Sequence, residues 1–500
     1  MINKLLCKFS NSAFKLLQNK VQTQELNKIK DFCQFFEEIQ TYSKEKKFIN
    51  FEEKLNEMQK FDIDQNNLQT LQWMYQNVFD HRLLNDTFNN LLGSQIILFI
   101  KGINNNIISR EYLNSYVSYL NNYHIIMQFN IFYTINLVQF LYSIQKKFGS
   151  LNQGEQKILH NVCENYQYFI QHLSPNYVCP QSYYLSQINL SFYSIKLFLN
   201  IQIQFTKRIS ELLEGFNENQ LKSIYYSIGK EGFYTNKIKD FLLRKINENY
   251  EIKSEDQLIS QINLFLCVTN ILNSTEIQSQ LLKKIQNILK VQDQFLEIRK
   301  SYIVSFYQQI LRCDIYDEFI WNKYFQIESK IQDSYRKNFI SYNLIQFKSK
   351  LSKSCQAYVE QNFESNKEIY LQKLIDNRSS SSKHMEKRIQ QLFDDLQLDY
   401  QKNIYIDQFE VDFYFPKQNL IIEICGPIHY AFNIDATEGV PLKTHNSDQE
   451  LFLQQSLNQT SQFKKKYLEN LGYKVYYLNF FDQRHKNTQL QILEYLSSLK

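Results

Sequence analysis

Two short phrases, 37 residues apart, set the architecture of this chain. Asn217-Glu-Asn-Gln220 stands before Leu221, Ile224, Tyr225 and Ile228, and Ser254-Glu-Asp-Gln257 before Leu258, Ile262, Phe265 and Leu266. Each opens on a side chain that can accept an orphan helix amide and carries Gln three positions later, the capping-box pattern. Each then runs into apolar residues at three- and four-residue spacing, the stripe of an amphipathic helix. Weaker starts at Asp64, Ser109 and Ser150, 45 and 41 residues apart, lead into helices rich in Leu, Ile and Tyr. Recurrence near 40 residues predicts stacked helix pairs, an α-solenoid-like body over 51–375; an irregular helical bundle is the alternative that the same spacing permits. Ten Gly and five Pro in the whole chain leave few sharp turns, so a mainly α fold is expected.

Five hundred residues exceed the roughly 250 to 300 at which a single core stops growing, so more than one domain is expected. The net charge of +5 is far from the dense charge of a chromatin protein; nucleic acid is permitted as a partner but not demanded. Residues 401–500 hold ten Lys or Arg against eleven Asp or Glu, so the positive excess lies upstream. The eight cysteines, Cys7, Cys33, Cys163, Cys179, Cys267, Cys313, Cys355 and Cys425, are scattered singly, which argues against a disulfide framework and a zinc site and for small core residues. No apolar run approaches the ~20 residues that span a bilayer, so no membrane insertion is expected. The first 24 residues carry Lys4, Lys8, Lys15 and Lys20 and no acid before Glu25, with Leu5, Leu6, Phe9, Leu16 and Leu17 able to share a helical face. Residues 1–30 resemble a mitochondrial presequence, although arginine is missing; an ordinary basic first helix is the alternative.

The serine-rich stretch 376–382 has no apolar period and reads as a linker. After it comes one more amphipathic helix, with Met385, Ile389, Leu392, Phe393 and Leu396, and then the pattern changes. Phe409–Phe415 alternates, Pro416 to Asn419 turns, and Leu420–Cys425 follows, which together read as a hairpin. Gly426-Pro427 ends the second strand, a long polar loop is expected to about Asn458, and a helix over Gln462–Leu471 stops at Gly472 before a strand over Tyr473–Leu478. A helix over Thr488–Leu499 closes the chain. The segment 383–500 is expected to be one small α/β domain.

Val411-Asp412-Phe413, then Glu423-Ile-Cys-Gly-Pro-Ile-His429-Tyr-Ala-Phe-Asn433, then Lys464-Lys-Lys-Tyr-Leu-Glu-Asn-Leu-Gly-Tyr473-Lys-Val475 resembles the RAP domain. That domain is itself similar to very short patch repair endonucleases and the PD-(D/E)XK nuclease fold. The resemblance implies that Asp412 and Glu423 occupy metal-facing positions, with Mg²⁺ as the cation, and that His429 lies near enough to move a proton. It departs from the pattern at Cys425, which stands where the family has a second acid; a thiol is a poor Mg²⁺ ligand. No Lys stands at the usual place for a PD-(D/E)XK site. Outside the resemblance, each residue has a structural reading: Asp412 bonding a neighbouring turn, Glu423 a satisfied buried acid between Ile422 and Ile424, His429 a loop-packing residue, and Lys464, Lys465 and Lys466 a solvated helix face.

Helical repeats followed by a RAP domain resemble the FAST kinase-like and octotricopeptide-repeat proteins of mitochondria and chloroplasts. The expectation from that resemblance is a mitochondrial matrix protein that binds organellar mRNA or rRNA and acts in processing, stability, ribosome assembly or translation, with His429, Asn433, Lys464, Lys465 and Lys466 touching RNA. No cofactor is expected for a binder. The alternatives are a Mg²⁺-dependent endoribonuclease acting through Asp412, Glu423 and His429, and a structural subunit of a mitochondrial ribosome or another large assembly. No Gly-rich phosphate loop or kinase catalytic loop is present.

Overall fold

The phrase at Asn217 forms both arms of its box: the Asn217 side chain accepts from the Gln220 amide at 3.0 Å, and the Gln220 side chain accepts from the Asn217 amide at 2.8 Å. At Ser254 only one arm is of that kind. Ser254 accepts from the Gln257 amide at 3.3 Å, while Gln257 reaches one residue further back, to the Lys253 amide at 2.7 Å. The start read at Ser150 lies two residues later, where Asn152 and Glu155 exchange bonds of 2.9 and 2.8 Å. The Glu155 carboxylate also takes Arg110 at 3.0 Å.

This computed structural model describes residues 96, 100, 102–104, 106, 108, 110–122, 131–166, 169–188, 195–248, 250–272, 276–295, 300–331, 334–376, 384–436, 440–443 and 450–479. The presequence-like segment 1–30, the starts at Asp64 and Ser109, most of the linker 376–382 and the helix over Thr488–Leu499 lie outside them. Two compact units are present. The first holds the described residues up to Leu173 with Gln187–Leu197, and contains α1 (Arg110–Asn122), α2 (Ile131–Phe148) and α3 (Gln153–Tyr166), with α3 packed on the other two. Two helices, α4 (Pro175–Ile188) and α5 (Ile195–Leu212), carry the chain onward.

The second unit contains α6 (Glu218–Glu231), a two-residue strand β1 (Phe233–Tyr234), α7 (Asn236–Asn247), α8 (Glu255–Ile271), α9 (Gln278–Phe295), α10 (Lys300–Arg312), α11 (Glu318–Ile327), α12 (Ser334–Gln346), α13 (Lys353–Asn362) and α14 (Lys367–Asp376). Alternate helices stack: α6, α8, α10, α12 and α14 make one layer, and α7, α9, α11 and α13 the other. Successive members of a layer start about 35 to 45 residues apart, so these are helical repeats. Helices α6 and α8 approach closely, since a Cβ on Gly229 would lie 2.8 Å from the Cys267 Cα. Lys284 of α9 staples three repeat helices, donating to the Lys245 and Glu248 carbonyls and to Gln261 at 2.9 Å. None of the six described cysteines forms a disulfide, and all six are buried.

The C-terminal part comprises α15 (His384–Asp395), β2 (Gln401–Ile406), β3 (Phe409–Phe415), β4 (Leu420–Cys425), β5 (Tyr430–Ala436), β6 (Val440–Lys443), β7 (Glu450–Leu457), α16 (Gln459–Asn470) and β8 (Lys474–Asn479). One sheet runs β2-β3-β4-β8, antiparallel except for the β4–β8 pair. Its central strand β4 is buried at all six positions, as expected of a strand covered on both faces. Leu420, Ile422 and Ile424 face a cluster with Phe413, Phe415, Leu478 and, from α15, Ile389 and Phe393. Alternation turns Ile421, Glu423 and Cys425 to the opposite face.

The polar loop expected between Asn433 and Asn458 is instead part of a second sheet, β1-β5-β7-β6. The strand that completes it comes from the helical body: Phe233 pairs with Phe432 and Tyr234 with Asn433. Gly232, at φ 78°, makes this possible by ending α6 in a left-handed turn against the Tyr430 carbonyl, and its own carbonyl accepts from the Phe432 amide at 2.8 Å. Phe233 and Phe432 stack with centroids 4.7 Å apart. The Asp435 carboxylate caps α7 through the Asn236 amide at 2.8 Å. A second seam forms at the β2–β3 turn, where Asp407 accepts from the hydroxyls of Tyr342 on α12 and Tyr467 on α16, and Gln408 exchanges two amide bonds, 3.0 and 2.7 Å, with Asn343. The C-terminal sheets are therefore built into the second unit by strand pairing and buried hydrogen bonds.

Candidate functional site

The hairpin ladder between β3 and β4 ends at Phe413–Ile422. One position further, Asp412 stands opposite Glu423, and the Asp412 carboxylate takes the Ile424 amide at 2.6 Å in place of a backbone carbonyl. The two strands separate there. Lys464 of α16 fills the gap: its ammonium donates to Glu423 Oε2 at 2.5 Å and to the Glu410 carbonyl at 2.7 Å. Glu423 is 5% exposed, and its second oxygen, Oε1, is buried with no partner. Such an atom costs free energy unless something donates to it.

His429, in the short turn after Gly426-Pro427, shares a hydrogen bond of 3.3 Å with the Ser461 hydroxyl through Nδ1. Burial, and then the nearby Lys464 ammonium, pull its pKa down to about 4, so its ring is neutral at physiological pH. Burial and the Glu423 carboxylate hold the Cys425 thiol well above its ordinary value. Tyr477 lies beside Glu423 in the parallel β4–β8 register and donates to the Ser461 carbonyl at 3.0 Å; burial and Glu423 raise its pKa as well.

The structure thus gathers Asp412, Glu423, His429 and Lys464 around the end of the hairpin ladder. The other residues named from the sequence lie elsewhere. Asn433 sits on β5 at the seam with the helical body, donating to Asn236 at 3.0 Å and accepting from the Asp435 amide at 3.1 Å. Lys465 is half-buried and 3.8 Å from Glu469, and the more exposed Lys466 pairs with Asp314 of the helical body. Three successive helix residues point about 100° apart, so a Lys-Lys-Lys run cannot present one face. Sequence reasoning missed Ser461 and Tyr477. The helical phase could have found Ser461, one turn before Lys464, whereas the position of Tyr477 required the strand register.

Mg²⁺ favours a near-octahedral set of oxygens. Here Asp412 has committed an oxygen to Ile424, Glu423 has committed one to Lys464, and a protonated thiol occupies the next inward position on β4. Among the described residues no group of three or more His, Cys, Asp and Glu is placed to hold an ion. This donor set does not fit the cation. What it offers is a buried acceptor, a neutral imidazole and a fixed ion pair. Among the described residues, no helix is long and apolar enough to cross a membrane.

Comparison of the whole chain with curated proteins gives no match. The family model described as RAP domain matches residues 422–499, which begins on β4 just before Glu423 and takes in His429 and α16. Downstream of its helical repeats, the chain carries a RAP domain and fits a RAP-domain protein.

Proposed function

We propose that this protein binds RNA in mitochondria, and that it acts in the processing, stability or translation of an organellar transcript or in ribosome assembly. The observation that carries the RNA reading is the RAP domain match over 422–499, which suggests RNA binding in general. The mitochondrial part rests on the presequence-like composition of residues 1–30. The local chemistry supports recognition over catalysis. Asp412 and Glu423, the two acids a cation would need, are committed to the Ile424 amide and to Lys464. The test of binding is ultraviolet crosslinking of the purified chain to organellar transcripts followed by sequencing of the bound RNA. Specific crosslinked segments support the reading, and the absence of any crosslink refutes it. A fluorescent reporter fused to residues 1–30 tests the location, and a diffuse cytosolic signal would rule it out.

A second reading, a metal-dependent endoribonuclease, is favoured by one observation: Lys464 lies beside Glu423, with Asp412 opposite, which supplies in space the lysine that the sequence pattern lacked. The donor set argues against it. Incubating RNA with Mg²⁺ or Mn²⁺ and comparing the wild type with the Asp412→Ala/Glu423→Ala double variant decides the matter. Cleavage lost in the double variant would establish the enzyme reading, and equal cleavage in both would remove this site from it.

A further inference from the structure

Arg312, the last residue of α10, is out of keeping with its surroundings. Its Nε is sealed from solvent and, among the described residues, has no hydrogen-bond partner. The group instead rests over the Phe339 ring, 5.4 Å from the centroid. Burial draws its pKa down to about 10. A sealed guanidinium nitrogen with no acceptor is costly, so its retention points to an acceptor that is supplied from outside.

The space around it fits that inference. Arg312 lines two cavities, of about 240 and 110 Å³. The larger is walled by Tyr226, Lys230, Asn263 and Gln309 from the repeat helices and by Thr460 from the first turn of α16, with no carboxylate among its lining residues. The Asn263 Oδ1 there is also buried and unpartnered. The smaller cavity places Lys350 and Lys466 around a single acid, Asp314. Gln459 of α16 donates to the Arg312 backbone carbonyl at 2.6 Å, which ties the first turn of that helix, with Thr460 in the cavity wall, to the end of α10. A guanidinium fork and a helix N-terminus are both suited to phosphate oxygens, and an aromatic with an orphan acceptor suits the attached nucleoside.

We propose that Arg312 anchors a phosphate-binding site between helices α8 and α10 and the first turn of α16, and that the phosphate is one in the backbone of bound RNA. The choice of RNA rests on the function proposed above; the anion site does not. It lies where the first turn of α16 meets the repeat helices, and its lining does not include Glu423, Asp412 or His429.

The test compares full-length wild type with Arg312→Met, which removes the charge at similar volume. Thermal melting is followed with inorganic phosphate against chloride at matched ionic strength, and binding with a 5′-hydroxyl oligouridylate at several salt concentrations. Phosphate should raise the wild-type Tm and leave Arg312→Met unmoved. The variant should melt no lower than wild type without phosphate, bind the oligonucleotide about tenfold more weakly, and show a salt slope shallower by about 0.7. Should Arg312→Met fail to fold, Arg312→Lys keeps the charge and loses the fork, and is expected to show a reduced phosphate shift. Identical phosphate shifts and oligonucleotide affinities in wild type and variant would overturn the site. Phosphate protection that depends on Arg312 without any effect on the oligonucleotide, or with no oligonucleotide bound by wild type, would overturn the backbone assignment; in the latter case the RNA reading falls with it.

Discussion

Removing the cation from Glu423 tests the local electrostatics of the RAP domain most sharply. Glu423 is 5% exposed with one oxygen unpartnered, and Lys464 is the only cation among the described residues that pairs with its other oxygen, at 2.5 Å. Lys464→Met strands a buried carboxylate, which costs about 3 kcal/mol, the lower end for a broken buried pair because the Lys464 side chain keeps 19% exposure. Glu423→Gln leaves an acceptor for Lys464, which also retains the Glu410 carbonyl, so its cost is about 1 kcal/mol. If the pair is the source of both losses, the double variant lies about 2 kcal/mol below wild type and not the roughly 4 kcal/mol that addition gives. Because the chain has two units, the quantity to measure is the local opening free energy from hydrogen exchange at the Ile421–Cys425 amides. Additivity within about 0.5 kcal/mol would refute the coupling, and with it the claim that Lys464 exists to hold Glu423.

Gly232→Ala should uncouple β1 from β5, since its left-handed φ of 78° disfavours a side chain and the added Cβ would lie 2.5 Å from the Tyr430 carbonyl; a loss of about 3 kcal/mol, read as faster exchange of the Phe432 amide, is expected, and unchanged exchange would contradict the seam. His429 has a folded-state pKa of about 4, below its ordinary 6.5, so the stability it contributes is present above pH 6.5 and is lost as pH falls through 4. That linkage is worth about 3 kcal/mol, and His429→Gln should flatten the pH dependence of stability between these values; an unaltered profile would show that His429 is not the titrating group.

The hairpin at Phe409–Phe415 and Leu420–Cys425 was legible because a half-buried strand alternates and a central strand does not, and both signals lie within the element itself. The helix starts at Asn217 and Ser254 were legible for the same reason, whereas the start read at Ser150 lies at Asn152, whose side chain accepts from the Glu155 amide. β1 was not legible. Two residues carry no periodicity, and their partners Phe432 and Asn433 lie some two hundred positions away. The second sheet was not legible because β7, Glu450 to Leu457, does not alternate: Leu451 to Leu453 are consecutive apolar residues and Gln454 to Ser456 consecutive polar ones. The site was half legible. Asp412, Glu423 and His429 follow from the resemblance, but the roles of the three lysines depended on helical phase and on what each turn of α16 meets: Glu423, solvent with Glu469, and Asp314. Arg312 carried no sequence signal at all, since only burial makes an arginine without a partner conspicuous.

RNA binding itself is the central claim, and the direct measurement is the affinity of the purified full-length chain for single-stranded RNA across a series of salt concentrations. The account predicts binding whose logarithm falls linearly with the logarithm of salt, with a slope of about −0.7 for each phosphate contacted, and a shallower slope when Arg312 is replaced. Absent binding, or an affinity indifferent to salt, would contradict it.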